Sequence, residues 1–142
     1  MGDVSRIKAK RNVFFVLNIL LSLVIGLTVY VFCRPDTHVS KIVHNLLGVS
    51  PEVVLPEWVM SFLRNYMADV LWAYALTFTV IYILGSGFLT FAIVAIFEIC
   101  IEVSQKVGIM SGTFDWVDII LEVCISALVM LLINTIQKEK YQ

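Results

Sequence analysis

Four apolar runs, each about as long as a bilayer is thick, constrain this chain more than any other feature. The first extends from Val13 to Phe32. The others fall within helices predicted over about 57–84, 88–104 and 116–136. Roughly 20 apolar residues of helix cross the hydrocarbon core. Hydrophobic residues make up 60% of the 142, against about 45–50% in a soluble domain. The expected fold is all-α: a polytopic membrane protein forming one domain over 1–142. It has four transmembrane helices and a short amphipathic interfacial helix in the first outer loop. The lipid bilayer is its first expected partner. The formal charge of −1 says nothing about nucleic acid, but the sequence has no basic patch interleaved with aromatics, so no nucleic-acid partner is expected.

Arg6, Lys8, Lys10 and Arg11 precede the first run. A secretory signal would have an apolar stretch of about 7–15 residues and a small-residue cleavage site. This run is longer and ends Tyr30-Val31-Phe32-Cys33, so it reads as an uncleaved helix. In the connection that follows, Pro35 marks a helix end, and Asp36 and Thr37 are cap candidates for a short helix ending at Gly48. Val39, Ile42, Val43, Leu46 and Leu47 share one face of it, the pattern of a helix lying at the membrane surface or packed on the bundle. His38 and His44 fall on different faces and make poor metal partners. Pro51 and Pro56 bracket a turn, with Pro56 opening a helix near Glu57. Trp58, Tyr66, Trp72 and Tyr74 suit an interfacial aromatic belt. Gly85-Ser86-Gly87 is so short a connection that the second and third spans must be antiparallel neighbours. Cys33, Cys100 and Cys124 are odd in number, lack metal-type spacing and read as inert thiols in the membrane.

Positive charge near helix ends marks the cytoplasm. The basic amino terminus and Lys138 and Lys140 predict both termini inside the cell membrane. The start of the second span, the end of the third and the start of the fourth then share the outer side. Glu98, Glu102 and Gln105 lie at i, i+4 and i+7 on one stripe of the third. Asp115, Asp118 and Glu122 lie at i, i+3 and i+7 on the fourth, and Asp69 opens the second together with Asn65 and Trp72. These residues, with Arg64, are the candidate ligand-binding set, and Glu122 is expected at its floor.

Ordinary structural roles account for part of it. Asp115 is a natural N-cap, and Asp118 can reach back as in a capping box. Glu102 can pair with Lys106 at i+4, and Asp69 with Arg64. Glu98 and Glu122 lie a further turn or two inward, where an ionisable side chain marks a functional site by default. Their plain alternative is a protonated Glu that hydrogen-bonds a neighbouring helix, since desolvation disfavours the charged form.

At Glu102-x-x-Gln105 followed by Phe114-Asp115-x-x-Asp118, the chain resembles the VanZ-like membrane protein family, named after a teicoplanin-resistance protein. The segment Arg64-Asn65-Tyr66-Met67-Ala68-Asp69-Val70-Leu71-Trp72 looks like that family's earlier helix start. The resemblance covers roughly the carboxyl-terminal half. Thr113 and Glu122 stand where the family often has Arg and Asn, and Ser126-Ala127 where Gly-Ala is common. It implies a bacterial cell-envelope protein linked to glycopeptide resistance.

Three functions compete. One is an outward acidic pocket for a cationic or polar headgroup, a glycopeptide or a lipid-linked wall precursor, with no resident cofactor. Another is a membrane enzyme on a lipid-linked substrate, its carboxylates holding a divalent cation such as Mg²⁺, Mn²⁺ or Ca²⁺. No activated nucleophile is evident for it, since neither histidine lies near a Ser or Cys with a triad partner. The third is a small cation- or proton-coupled transporter subunit.

Overall fold

The computed structural model describes residues 2–34, 37–48, 55–110 and 112–139, with side chains from residue 9 to residue 137. Pro35, Asp36 and Pro51, named above as breaker, cap and turn residues, lie outside that description. Among the described residues the fold is all-helical, with four helices long and apolar enough to cross a membrane. They are α1 (Gly2–Cys33), a composite second rod, α5 (Phe88–Lys106) and α6 (Trp116–Glu139). The composite rod is α3 (Glu57–Phe62), a π-helical turn (Leu63–Met67) and α4 (Ala68–Leu84). The predicted interfacial helix is α2 (His38–Leu47).

Local chemistry sets the helix ends. Thr37 caps α2 by accepting from the Ser40 amide, and Gly48 closes it in the left-handed region at φ 63°. Between those caps the apolar face of α2 is uncovered, with Leu46 80% exposed beside Val39, Ile42 and Leu47. A face of that kind suits the boundary between headgroups and acyl chains. Gly85, at φ 83°, takes the turn after α4 and donates its amide to the Ile81 carbonyl. Thr90 then bonds back to the Gly85 carbonyl (2.7 Å), and Ser86 reaches Gln137 on α6 (3.0 Å). The uncharged connection thus brings α4 and α5 together as antiparallel neighbours.

The π turn was not legible in the sequence. It takes up an extra residue, so side chains before it face away from the stripes after it. Asn65 accordingly is exposed and bonds to Ser61 (3.3 Å), whereas Asp69 turns toward the bundle. Along the predicted face, Asn65 and Trp72 are exposed, Trp72 to 43%, and Asp69 is half-buried.

α4 is the central rod and packs on α1, α5 and α6, while α5 also packs on α6. Phe78, with no exposed surface, sits at the middle of the apolar core with Phe15, Ile81, Val129, Met130 and Ile133. Its ring lies 4.6 Å from that of Tyr74 and 5.7 Å from that of Phe15. Tyr74 keeps its polar tip satisfied by donating to Asn18 of α1 (2.8 Å). Outward-facing Leu and Val along α1, and Phe88, Leu89 and Ile96 on α5, are the surfaces a bilayer solvates. The core residues come from the carboxyl-terminal halves of α4 and α6 and the amino-terminal half of α1. The acidic residues therefore occupy the opposite half of the bundle.

Candidate functional site

Three helices build the acidic half. α4 contributes Asp69 in its first turn, α5 contributes Glu98 and Glu102, and α6 contributes Asp118 and Glu122. Glu98 is 1% exposed, and Glu102 and Glu122 are each 4% exposed. Asp69, Asp115 and Asp118 are half-buried. Glu122 lies within electrostatic range of Glu98, Glu102, Asp69 and Asp118. Asp118 in turn lies in range of Asp69, Glu102, Asp115 and Arg34. The carboxylates thus form one set, with the half-buried members next to the helix ends and the buried ones further in.

Hydrogen bonding satisfies this set unevenly. Ser126, four residues after Glu122, donates to Glu98 Oε1 (2.6 Å), and Thr77 of α4 donates to Ser126 (2.8 Å). The Thr77 hydroxyl also lies 2.8 Å from the Ala73 carbonyl, so its single proton serves two acceptors. Asp115 caps α6, its Oδ1 accepting from the Val117 amide (2.9 Å). The predicted capping box is not closed by Asp118. The Asp115 amide instead faces Glu102 Oε2 of α5 (3.4 Å), so the box spans two helices. Among the described residues, Glu98 Oε2, Asp118 Oδ1 and Glu122 Oε2 have no hydrogen-bond partner. Buried polar atoms are paired in the great majority of cases, so three such oxygens in one cluster need an explanation.

Both expected pairings of basic residues are replaced by others. Arg64 does not turn to a carboxylate; it is exposed, and its Nε donates to the Cys33 carbonyl at the end of α1 (3.2 Å). Arg34 answers it, donating Nε to the Arg64 carbonyl (2.6 Å) and Nη2 to the Asn65 carbonyl (3.4 Å). The π turn presents those carbonyls, and the crossed arginines tie α1 to the second rod. Arg34 is also the cation in range of Asp69 and Asp118. Lys106 leaves Glu102 and sits over the rings of Phe114 (4.7 Å) and Trp116 (5.7 Å).

Sequence reasoning missed Arg34, Ser126 and Thr77. Arg34 counted only toward topology, and hydroxyls inside apolar runs carry little signal, because they can bond to their own helix. Gln105 lies in the last turn of α5, half-buried and outside the buried cluster, beside the loop that leads to α6. A Cβ built at Gly112, whose φ is 153°, would collide with the Gln105 amide. Gly112→Ala should therefore cost about 1–3 kcal/mol from backbone strain, plus displacement of Gln105. Thermal unfolding in detergent should show a smaller loss when Gly112→Ala is placed in a Gln105→Ala background. An equal loss in both backgrounds would mean that the contact contributes nothing.

Among the described residues, no three His, Cys, Asp or Glu are grouped closely enough to hold a metal ion. Cys33 is buried, while Cys100 and Cys124 lie on the outer surface of the bundle. No protein-family model, curated protein or solved structure matches this chain.

Proposed function

We propose that this chain is a VanZ-like protein of the bacterial cell membrane whose acidic half opens away from the cytoplasm and binds a polar or cationic ligand of the envelope, with altered teicoplanin-type glycopeptide susceptibility as the cellular result. The supporting observation is the unsatisfied oxygen set of Glu98, Asp118 and Glu122. The apolar core around Phe78 fills the opposite half, which favours a binding pocket over a conducting path.

Expression in a glycopeptide-susceptible bacterium tests this reading. Glu102→Gln and Asp118→Asn should abolish any gain in resistance while leaving expression and melting temperature nearly unchanged, since neutral isosteres relieve burial of charge. Activity that merely follows stability across the two variants would reduce the cluster to a structural element, because Asn near a helix start is well tolerated. The orientation has its own test. Thr113→Cys, in the exposed loop between α5 and α6 of a chain lacking native cysteines, should react with an impermeant thiol reagent applied outside intact cells. Reaction only after permeabilisation would invert the topology.

A further inference from the structure

We infer that Glu98 is a proton-binding site: it carries a hydrogen that completes a one-way chain of hydrogen bonds through Ser126 and Thr77 to the Ala73 carbonyl. The inference does not rest on the pocket reading above. Groups from α5, α6 and α4 follow one another in this chain. Glu98 Oε1 is 2.6 Å from the Ser126 hydroxyl, Ser126 is 2.8 Å from the Thr77 hydroxyl, and Thr77 is 2.8 Å from the Ala73 carbonyl oxygen. Glu98 is 1% exposed, and Ser126 and Thr77 have no exposed surface, so bulk water supplies none of the hydrogens.

Counting those hydrogens decides the state of Glu98. Each O···O contact is at hydrogen-bond distance and needs one hydrogen between its oxygens. A hydroxyl has one hydrogen to donate, and an ionised carboxylate has none. With Glu98 ionised, Ser126 donates to Glu98, and Thr77 divides its hydrogen between Ser126 and the Ala73 carbonyl. Two hydrogens then serve three contacts. A hydrogen on Glu98 Oε1 closes the count. Glu98 donates to Ser126, Ser126 to Thr77, and Thr77 to the Ala73 carbonyl, with every oxygen in the same place. Each hydroxyl then donates once and accepts once, and bonds aligned in one direction strengthen one another.

The charges around this junction favour the same state. The titratable groups facing it are Glu102 on α5, Glu122 and Asp118 on α6, and Asp69 on α4, all of them acids. Arg34 acts on Asp69 and Asp118, and among the described residues no cation acts on Glu98. A buried carboxylate without a paired cation is costly, and a neutral acid avoids that cost. The proton therefore ties three helices together. Its loss returns the Ser126 hydrogen to Glu98 and leaves Thr77 with two acceptors, so the junction of α4, α5 and α6 weakens as pH rises.

Infrared spectroscopy of the full-length protein in detergent at about pH 6, where an ordinary glutamate is ionised, tests the inference. The native chain should show the carbonyl band of a neutral carboxylic acid, and Glu98→Gln should remove it. Ser126→Ala should shift that band, because the carboxyl loses the oxygen to which it donates. Loss of a carboxylate band alone in Glu98→Gln overturns the inference, and so does a neutral band indifferent to Ser126→Ala. Should Glu98→Gln not fold, Ser126→Ala decides alone: a shift among neutral-acid bands supports the site, and a shift confined to carboxylate bands overturns it. Stability reads the same proton independently. An unfolded glutamate is ionised above about pH 4.3, so folding takes up a proton at Glu98 that Glu98→Gln does not need. Between about pH 6 and 8 the folding equilibrium constant of the native chain should fall relative to that of Glu98→Gln, by as much as about tenfold per pH unit. Glu57→Gln, at the exposed start of α3, should keep the native profile. Parallel profiles for the native chain and Glu98→Gln overturn the site.

Discussion

Phe78→Ala is expected to produce the largest loss of stability of any single truncation in the apolar core. Phe78 has no exposed surface, and its ring is in contact range of Phe14, Phe15 and Tyr74. Truncation of a buried Phe costs about 3–5 kcal/mol in water-soluble cores. In a bilayer the transfer part shrinks, because lipid tails solvate a phenyl ring nearly as well as the bundle does. What remains is lost dispersion contact and the cavity. A value near 3 kcal/mol is therefore expected, with Phe78→Leu recovering most of it. Equilibrium unfolding in bicelles measures both. A loss below about 1 kcal/mol would mean that the rods close over the gap. α1 would be the first to move, since it contributes Phe14 and Phe15.

The second large effect belongs to the chain of side chains from Thr77 through Ser126 to Glu98. Ser126→Ala removes the hydroxyl bonded to Glu98 Oε1 and leaves that carboxyl without any partner, a cost of about 1–3 kcal/mol. Thr77 loses less, because its proton still has the Ala73 carbonyl. Glu98→Leu should be milder than Ser126→Ala, since Ser126 and Thr77 retain each other. The double variant Ser126→Ala with Glu98→Leu should be more stable than Ser126→Ala alone, because both ends of a buried polar pair are then gone together. A double-mutant cycle should return a coupling of about 1–2 kcal/mol. Additive single effects would show that the 2.6 Å contact contributes nothing beyond the two separate side chains. The cycle also separates stability from binding: Glu98→Leu should remove a ligand response that Ser126→Ala retains.

The length and spacing of the apolar runs determined the four spans, and Gly85-Ser86-Gly87 determined that the second and third are neighbours. Those features act through the bilayer and through short connections, both readable one residue at a time. The caps of α2 at Thr37 and Gly48, and of α6 at Asp115, were legible for the same reason, since a cap involves only residues within a turn. The acidic stripes on α5 and α6 were also in the sequence as periodicity.

Which atom each stripe meets was decided by the tertiary structure. Periodicity fixes a face but not the rotation of one rod against the next. The π turn at Leu63–Met67 changes that rotation for everything before Asp69. It turned Arg64 toward Cys33 and offered its carbonyl to Arg34, a residue 30 positions away. Packing of α5 on α6 gave the Asp115 amide to Glu102 and Ser126 to Glu98. The same packing left Glu98 Oε2, Asp118 Oδ1 and Glu122 Oε2 without a partner among the described residues. Hydrogen bonds reach only about 3 Å, so a partner's identity depends on ångström-scale packing that no one-dimensional spacing encodes.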